Sequence, residues 1–342
     1  VKDYHVAIVG ATGLVGGEFI RILEQRRFPL ASLRLYASDR SAGKKLSFRG
    51  EVMEVEETVP ESFEGVDIAL FSAGAEISRH FSPIAAKMGT VVVDNSSAFR
   101  MDADIPLVVP EVNPEDIKKH KGIIANPNCS TIQMVVALYP LHKVNPIKRI
   151  IVATYQAVSG TGSAAVEELR TQARQVLDGQ ETAPHVYPHQ IAFNLLPEID
   201  VFLDSGYTKE EWKMVEETRK IMHAPDIAVS PTCVRVPVFV SHSEAVHVEF
   251  ASPISPEDAS RILAEAPGVK VLDDTTVSLY PQPWPAAGTD EVYVGRIRQD
   301  HTDKNALEMW VVSDNLRKGA ALNTIQIAEE MIKRDWVKPG EQ

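Results

Sequence analysis

Cysteine is nearly missing from this sequence: Cys129 and Cys233 are the only two in 342 residues. Two thiols cannot build a disulfide framework or a Cys-rich zinc site, so each is read as a single thiol and no metal site is expected. Basic residues are also scarce, 35 against 47 acidic ones, for a formal net charge of -12. Binding to a phosphate backbone draws on clustered Lys and Arg, so neither nucleic acid nor an anionic membrane is an expected partner. An anionic small molecule must therefore meet a local basic site. No apolar run approaches the roughly 20 residues that span a bilayer. The first strand-like segment begins at His5, which leaves no room for a signal peptide, and a cytoplasmic location is expected.

What is present is ordinary globular composition, 44% apolar and 24% charged. At roughly 150 residues per domain the length predicts two domains. Short apolar runs at 5–9, 32–36, 68–71 and 90–93, with a helical pattern over 14–25, read as a parallel sheet with crossover helices. A further strand is expected at 123–125 and a helix over 129–141. From about Ile150 longer β-rich segments follow, at 149–155, 232–240, 245–251 and 292–299, which predicts a second, α+β domain. Helices are expected over 164–177, from Thr208 with Glu211 at capping-box spacing, and from Ser255 with Pro256 at its first position. The stretch 281–288 reads as a loop, and 320–334 as a long amphipathic helix packing back on the first domain.

The run Gly10-Ala11-Thr12-Gly13-Leu14-Val15-Gly16 follows a strand and opens a helix. In that context glycines let the backbone approach a pyrophosphate, and the N–H groups and dipole of the helix start favour the anion. The expected cofactor contacts are Gly10, Thr12, Gly13, Leu14, Val15 and Gly16. After the second strand, Arg40 and Ser41 suit a 2′-phosphate and hence NADP, while Asp39 could itself take a ribose hydroxyl and hence NAD. The residues alone leave that choice open.

Asn126-Pro127-Asn128-Cys129-Ser130-Thr131 places a thiol at a helix start, where the positive end of the dipole favours a thiolate nucleophile. Cys233 lies in a strand-like run with no activating feature and reads as packing. Gln156-Ala157-Val158-Ser159-Gly160-Thr161-Gly162 is a turn over which a ligand could lie close to backbone. Arg235 stands among apolar neighbours, where a guanidinium needs an acidic partner or an anionic ligand. His242 is the candidate proton shuttle. Seven residues separate the two, which puts them on opposite faces of one regular strand, so sharing a site requires a break, and Pro237 supplies a place for it.

With these residues the chain resembles the bacterial-type aspartate-semialdehyde dehydrogenase family over nearly its whole length. The carriers are 10–16, Asp94-Asn95-Ser96-Ser97-Ala98-Phe99-Arg100, 126–133, 156–162, Glu210 and Lys213, 235–237, 241–244, and Asp314-Asn315-Leu316-Arg317-Lys318-Gly319. The resemblance implies an α/β Rossmann NADP-binding domain built from both chain ends, 1–128 with 315–342, and a central α+β catalytic and dimerisation domain, 129–314. It implies NADP as cofactor, a homodimer, and a place in lysine, threonine and methionine biosynthesis. It implies Cys129 as nucleophile, His242 as acid/base and Gln156 as a catalytic partner. Arg235 and Glu210 become substrate contacts, Arg100 and Lys213 phosphate contacts, and Ser159, Gly160 and Asn315 further cofactor contacts. The reaction implied is NADPH-dependent reduction of aspartyl phosphate through a cysteine thioester. Two other readings stay in view: N-acetyl-glutamyl-phosphate reductase, with the same chemistry and a different side pocket, and a non-catalytic NADP-binding regulator, which has no need of a thiol at a helix start.

Overall fold

The computed structural model describes residues 2–338. Val1 and 339–342, counted above in the expected first domain, lie outside the described residues. The chain divides into two compact units, Val1–Pro127 with Ala320–Gln342, and Asn128–Gly319.

The first unit runs β1 (Tyr4–Val9), α1 (Leu14–Gln25), β2 (Leu30–Ala37), β3 (Lys45–Phe48), β4 (Glu51–Glu57), β5 (Ile68–Phe71), α2 (Ala75–Lys87), β6 (Val91–Asp94) and β7 (Ile123–Ala125). Its sheet has the order β3-β4-β2-β1-β5-β6-β7, parallel except for the β3–β4 hairpin. All four residues of β5 and of β6 are buried, as expected of parallel strands covered on both faces. Strand order reverses on either side of β1, and ligands of such sheets bind at the carboxyl end of the strands at that reversal. Gly10 follows β1 directly.

The second unit runs α3 (Cys129–Val144), β8 (Ile147–Gln156), α4 (Ser163–Leu177), α5 (Lys209–Met222), β9 (Ala228–Arg235), β10 (His242–Phe250), α6 (Pro256–Ala264), β11 (Val269–Val271), α7 (Pro283–Ala286), β12 (Val292–Gln299) and β13 (Ala306–Ser313). Its six-stranded sheet has the order β11-β12-β13-β10-β8-β9. The capping box at Thr208 forms as its spacing predicts, with Thr208 Oγ1 accepting from the Glu211 N–H and the Glu211 carboxylate from the Thr208 N–H. Ser255 caps α6, its Oγ accepting from the Asp258 N–H at 3.0 Å. After a π-turn over Arg317–Ala321 the chain returns to the first unit as α8 (Leu322–Lys333). There Leu322, Ile325, Ala328 and Met331 share a core with Phe19, Ile22 and Leu23 of α1.

The structure departs from expectation in several places. The run 232–240 is not one strand: β9 stops at Arg235 and β10 starts at His242. Pro237 has no N–H to give a ladder, the Val238 N–H turns back to the Val236 carbonyl at 2.8 Å, and Ser241 adopts a φ of 77°. The expected loop 281–288 contains the short α7, with Pro283 at its first position. The β3–β4 hairpin, α2, β11 and β13 were not anticipated. The last helix starts at Leu322, after the π-turn, rather than at Ala320. No helix among the described residues is long and apolar enough to cross a membrane.

Candidate active site

In the first unit the glycine run forms a tight cradle. Gly10 has a φ of 90°, and a Cβ there would stand 2.4 Å from the Ser72 carbonyl oxygen. A Cβ on Gly16 would stand 2.2 Å from the Gly10 carbonyl oxygen. Gly13 caps α1 with no side chain of its own, and the first turn of the helix, with Leu14, Val15 and Gly16, carries no acidic residue. Backbone N–H groups and the helix dipole are thus offered to an anion without competition. A cavity of about 600 Å³ lies here, lined by Gly10, Thr12, Gly13, Ser38, Asp39 and Arg40 among others.

The Asp39 carboxylate accepts the Arg40 N–H at 2.7 Å, which occupies one oxygen in capping its own turn. Thr12 Oγ1 lies 3.4 Å from Ser41 Oγ, and Lys44 Nζ lies 3.3 Å from the same hydroxyl. Lys44, which sequence reading missed, therefore joins Arg40 and Ser41. Glycines where no side chain fits, an uncontested helix start and a cationic rim at the end of β2 fit the diphosphate and 2′-phosphate of NADP. Arg100 also belongs to this unit. It is buried, with Nε donating to the Ser96 carbonyl and a terminal nitrogen to the Asn95 carbonyl, both at 3.0 Å.

In the second unit α3 begins at the partly exposed Cys129. Asn128 caps it, its side-chain oxygen accepting from the Ser130 and Thr131 N–H groups at 3.0 and 3.3 Å. The amide of the same side chain donates to Glu210 Oε1 at 2.7 Å, and Gln156 Nε2 reaches that oxygen at 3.4 Å. Glu217 accepts the Asn128 backbone N–H at 2.6 Å. Lys213 Nζ lies 3.1 Å from Glu210 Oε2 and 2.8 Å from Asp200. Burial works against charge on Glu210, yet Lys213 and Asn128 hold its carboxyl below the ordinary range, so it is ionised. Glu210 thus ties the nucleophile's cap to Gln156 and Lys213. The roles of Asn128, Glu217 and Asp200 had no signal in the sequence beyond the Asn preceding Cys129.

Arg235 ends β9, buried, and donates to the Ala157 carbonyl at 2.7 Å. Its Nε has no partner, and no carboxylate lies within ion-pair distance of it among the described residues. The ring of Tyr187 lies 6.0 Å from the guanidinium carbon. His242 opens β10 and is completely buried, with Nδ1 3.0 Å from the Ala157 nitrogen. A backbone N–H can only donate, so Nδ1 accepts and the imidazole proton sits on Nε2, which has no partner. Burial, reinforced by the neighbouring Arg235 charge, pushes the His242 pKa well below its ordinary value.

The peptide unit at Ala157 therefore clamps both side chains. A Cβ added to Gly160 would meet Arg235 at 3.0 Å and the His242 Nε2 at 3.4 Å, so the turn passes close over both. Asn315 locks that turn, donating to Ser159 Oγ at 2.9 Å and accepting the Ser241 N–H at 2.8 Å. Gln133, one turn along α3 from Cys129, donates to the His242 carbonyl at 3.4 Å, which brings the Cys129 face of the helix against the start of β10. A Cβ on Gly319 would stand 2.9 Å from the Cys129 Cβ, so Gly319 packs closely against the thiol residue.

Cys233 is buried in β9, and burial followed by the nearby Glu210 charge pushes its thiol far up. It stays a thiol.

Comparison with known proteins agrees with this arrangement. The semialdehyde dehydrogenase NAD binding domain family matches residues 5–120, and the semialdehyde dehydrogenase dimerisation domain family matches 138–318. The chain is similar to an aspartate-semialdehyde dehydrogenase of Aquifex aeolicus, 58% identical over 338 residues, covering 98% of this chain and 99% of the relative. Among solved structures it is similar to aspartate semialdehyde dehydrogenase II of Vibrio cholerae complexed with ASA, with a TM-score of 0.95 and 49% identity over 97% of this chain and 99% of that one. It is also similar to the aspartate semialdehyde dehydrogenase of Candida albicans solved with NADP, with a TM-score of 0.77 and 28% identity over 98% and 100% of the two chains. An NAD(P)-binding unit and a dimerisation unit, joined in this order and alike along both whole lengths, leave one assignment: the chain belongs to the aspartate-semialdehyde dehydrogenase family.

Proposed function

We propose that this chain catalyses the reversible NADPH-dependent reduction of L-aspartyl 4-phosphate to L-aspartate 4-semialdehyde and phosphate. It does so as a cytoplasmic homodimer assembled through its second unit, in lysine, threonine and methionine biosynthesis. The same proposal divides the chain into a dinucleotide-binding domain, 1–128 with 315–342, and a catalytic domain, 129–314. The observation that carries it is Arg235: a buried guanidinium with an unpartnered Nε and no carboxylate of its own is completed by the carboxylate of a substrate. Glu210, held ionised, supplies the acidic partner that a free α-amino group needs, which favours the aspartyl compound over an N-acetylated one.

Cys129, as the thiolate that a helix start favours, attacks the acyl carbon, the bond to the phosphate oxygen breaks with its electron pair leaving on phosphate, and the acyl group is held as a thioester. Lys213 receives the phosphate. Gln156 and Asn128, set by Glu210, fix the thioester end of the chain. NADP, held by Gly10, Thr12, Gly13, Leu14, Val15, Gly16, Arg40 and Ser41, would supply hydride chemistry when bound. The oxygen that becomes negative at the tetrahedral carbon accepts a hydrogen bond from the Nε2–H of His242, whose proton stays on nitrogen, and the carbonyl re-forms as sulfur leaves.

NADP reduction with aspartate semialdehyde, with and without phosphate, tests the reading. Turnover that requires phosphate and falls at least a thousandfold in Cys129→Ser supports it. Phosphate-independent oxidation, or turnover only of N-acetyl-glutamyl compounds, overturns it.

A further inference from the structure

Behind His242, on the same face of β10, lies a carboxyl group that the reaction above does not use. Glu244 is completely buried; neither of its carboxyl oxygens makes a hydrogen bond of good geometry, and the polar group that comes nearest to one is the Gln133 amide. Its positions across the sheet are Thr154 on β8 and Val311 on β13, both also fully buried and neither charged. Above it Gln133 of α3 is the polar side chain that faces the carboxyl, and the amide of Gln133 also reaches the His242 carbonyl. Among the titratable and charged groups of the surrounding elements, the inner ones are His242 on its own strand, Cys129 on α3, Cys233 and Arg235 on β9, and Glu210, Glu211 and Lys213 on α5, while His247 and Glu249 of β10, Tyr139, His142 and Lys143 of α3, Lys148, Arg149 and Tyr155 of β8 and Glu308 of β13 are at least partly exposed. The cations of this set are already engaged elsewhere: Lys213 is bonded to Asp200 and Glu210, and Arg235 to the Ala157 carbonyl.

We propose that Glu244 is an uncharged positioning residue: a buried carboxylic acid that, with Gln133, holds the start of β10 and keeps the surroundings of His242 free of negative charge. An ionised carboxylate with two unpartnered oxygens is among the costliest groups to bury, whereas the acid form carries one donor and no charge. Burial accordingly pushes the carboxyl well above its ordinary range, opposed only in part by Gln133. The consequence reaches the site through two residues of strand. A negative charge beside the imidazole would favour its protonated form, and the imidazolium has no use for the Ala157 N–H that now donates to Nδ1. A neutral Glu244 leaves that hydrogen bond, and the proton on Nε2, undisturbed.

This inference deepens the proposed reaction, and its first test needs no substrate. The titration of His242 is followed by NMR in the whole dimer, in the native protein and in Glu244→Gln, alongside the infrared carbonyl stretch of a protonated carboxyl. The expected result is an imidazole titration that does not move and a protonated-carboxyl band, persisting well above the ordinary carboxyl range, that Glu244→Gln removes. If Glu244 is ionised, Glu244→Gln removes an anion and lowers the His242 titration by a unit or more, the band is missing, and the inference fails whatever the substrate proves to be. The second test uses turnover. Glu244→Met keeps the bulk and removes the polar end, and is expected to lower kcat about tenfold with KM within twofold. Gln133→Met should do the same, the double variant should lose no more than either alone, and Gln at 244 should restore what Met loses. Native kcat in Glu244→Met, or losses that multiply in the double variant, would refute the positioning role.

Discussion

The backbone N–H of Ala157 lies 3.0 Å from Nδ1 of His242 and assigns the imidazole one tautomer, with its proton on Nε2. Adding a second proton at Nδ1 would set two N–H groups against each other, in a site already shielded from water and beside Arg235.

The first prediction follows from that contact. Because the folded His242 resists protonation, kcat/KM should stay level as pH falls through about 6.5, the ordinary imidazole value, and decline only below it. Stability moves with the same sign. Below about 6.5 the unfolded chain takes up a proton that the folded chain refuses, so the contribution is complete above that pH and drains away as pH falls towards the folded value. A pH–rate profile with a break at or above neutrality that vanishes in His242→Asn would contradict this.

Thiol reactivity should separate the two cysteines. Cys129 is partly exposed at the start of a helix, whereas Cys233 is buried with its thiol pushed far up. Brief alkylation of the native protein followed by mass mapping should label Cys129 at least a hundredfold faster, and Cys233→Ser should leave turnover within threefold. Comparable labelling of both would be inconsistent with the site described.

Asn128 should couple stability to reactivity. Asn128→Ala removes the α3 cap and a donor to buried Glu210. The cap alone is worth roughly 1 kcal/mol and a bond to a charged group roughly 1.5–3. Urea denaturation should therefore show a loss of about 2–4 kcal/mol, and alkylation of Cys129 should slow. A variant as stable as the parent would show that the cap is idle.

Cofactor choice should rest on Arg40. Since Asp39 is engaged with the Arg40 N–H, Arg40→Ala should raise KM for NADP at least tenfold and change KM for NAD less than threefold. Steady-state kinetics with each cofactor decide it, and equal losses for both would assign Arg40 a general role.

Much of this was legible beforehand. Apolar runs marked β1, β5, β6 and β7 because buried parallel strands need both faces apolar. The glycine run and the thiol before a helix carried chemistry in their order alone. The β3–β4 hairpin was hidden because Glu51–Glu57 carries acidic residues at 51, 54, 56 and 57, is mostly exposed and lacks an apolar signature. The break between Arg235 and His242 was foreseen as a requirement, but two separate strands satisfy it rather than one bent strand. Glu210 and Lys213 entered only through resemblance, since a Glu three residues before a Lys on a helix reads as surface. Glu244 escaped for a similar reason: sequence does not tell which face of an edge-to-centre strand a carboxylate will occupy, and only burial reveals it.

The second unit begins at Asn128 and ends at Gly319, and those two ends meet, for Gly319 abuts Cys129. An excursion of 192 residues that departs and comes home at one spot leaves its host with little gap to close. Joining Pro127 to Ala320 by a short spacer should accordingly yield a freestanding nucleotide-binding protein, a circumstance that would let such a domain exchange one chemical partner for another by a single pair of splices.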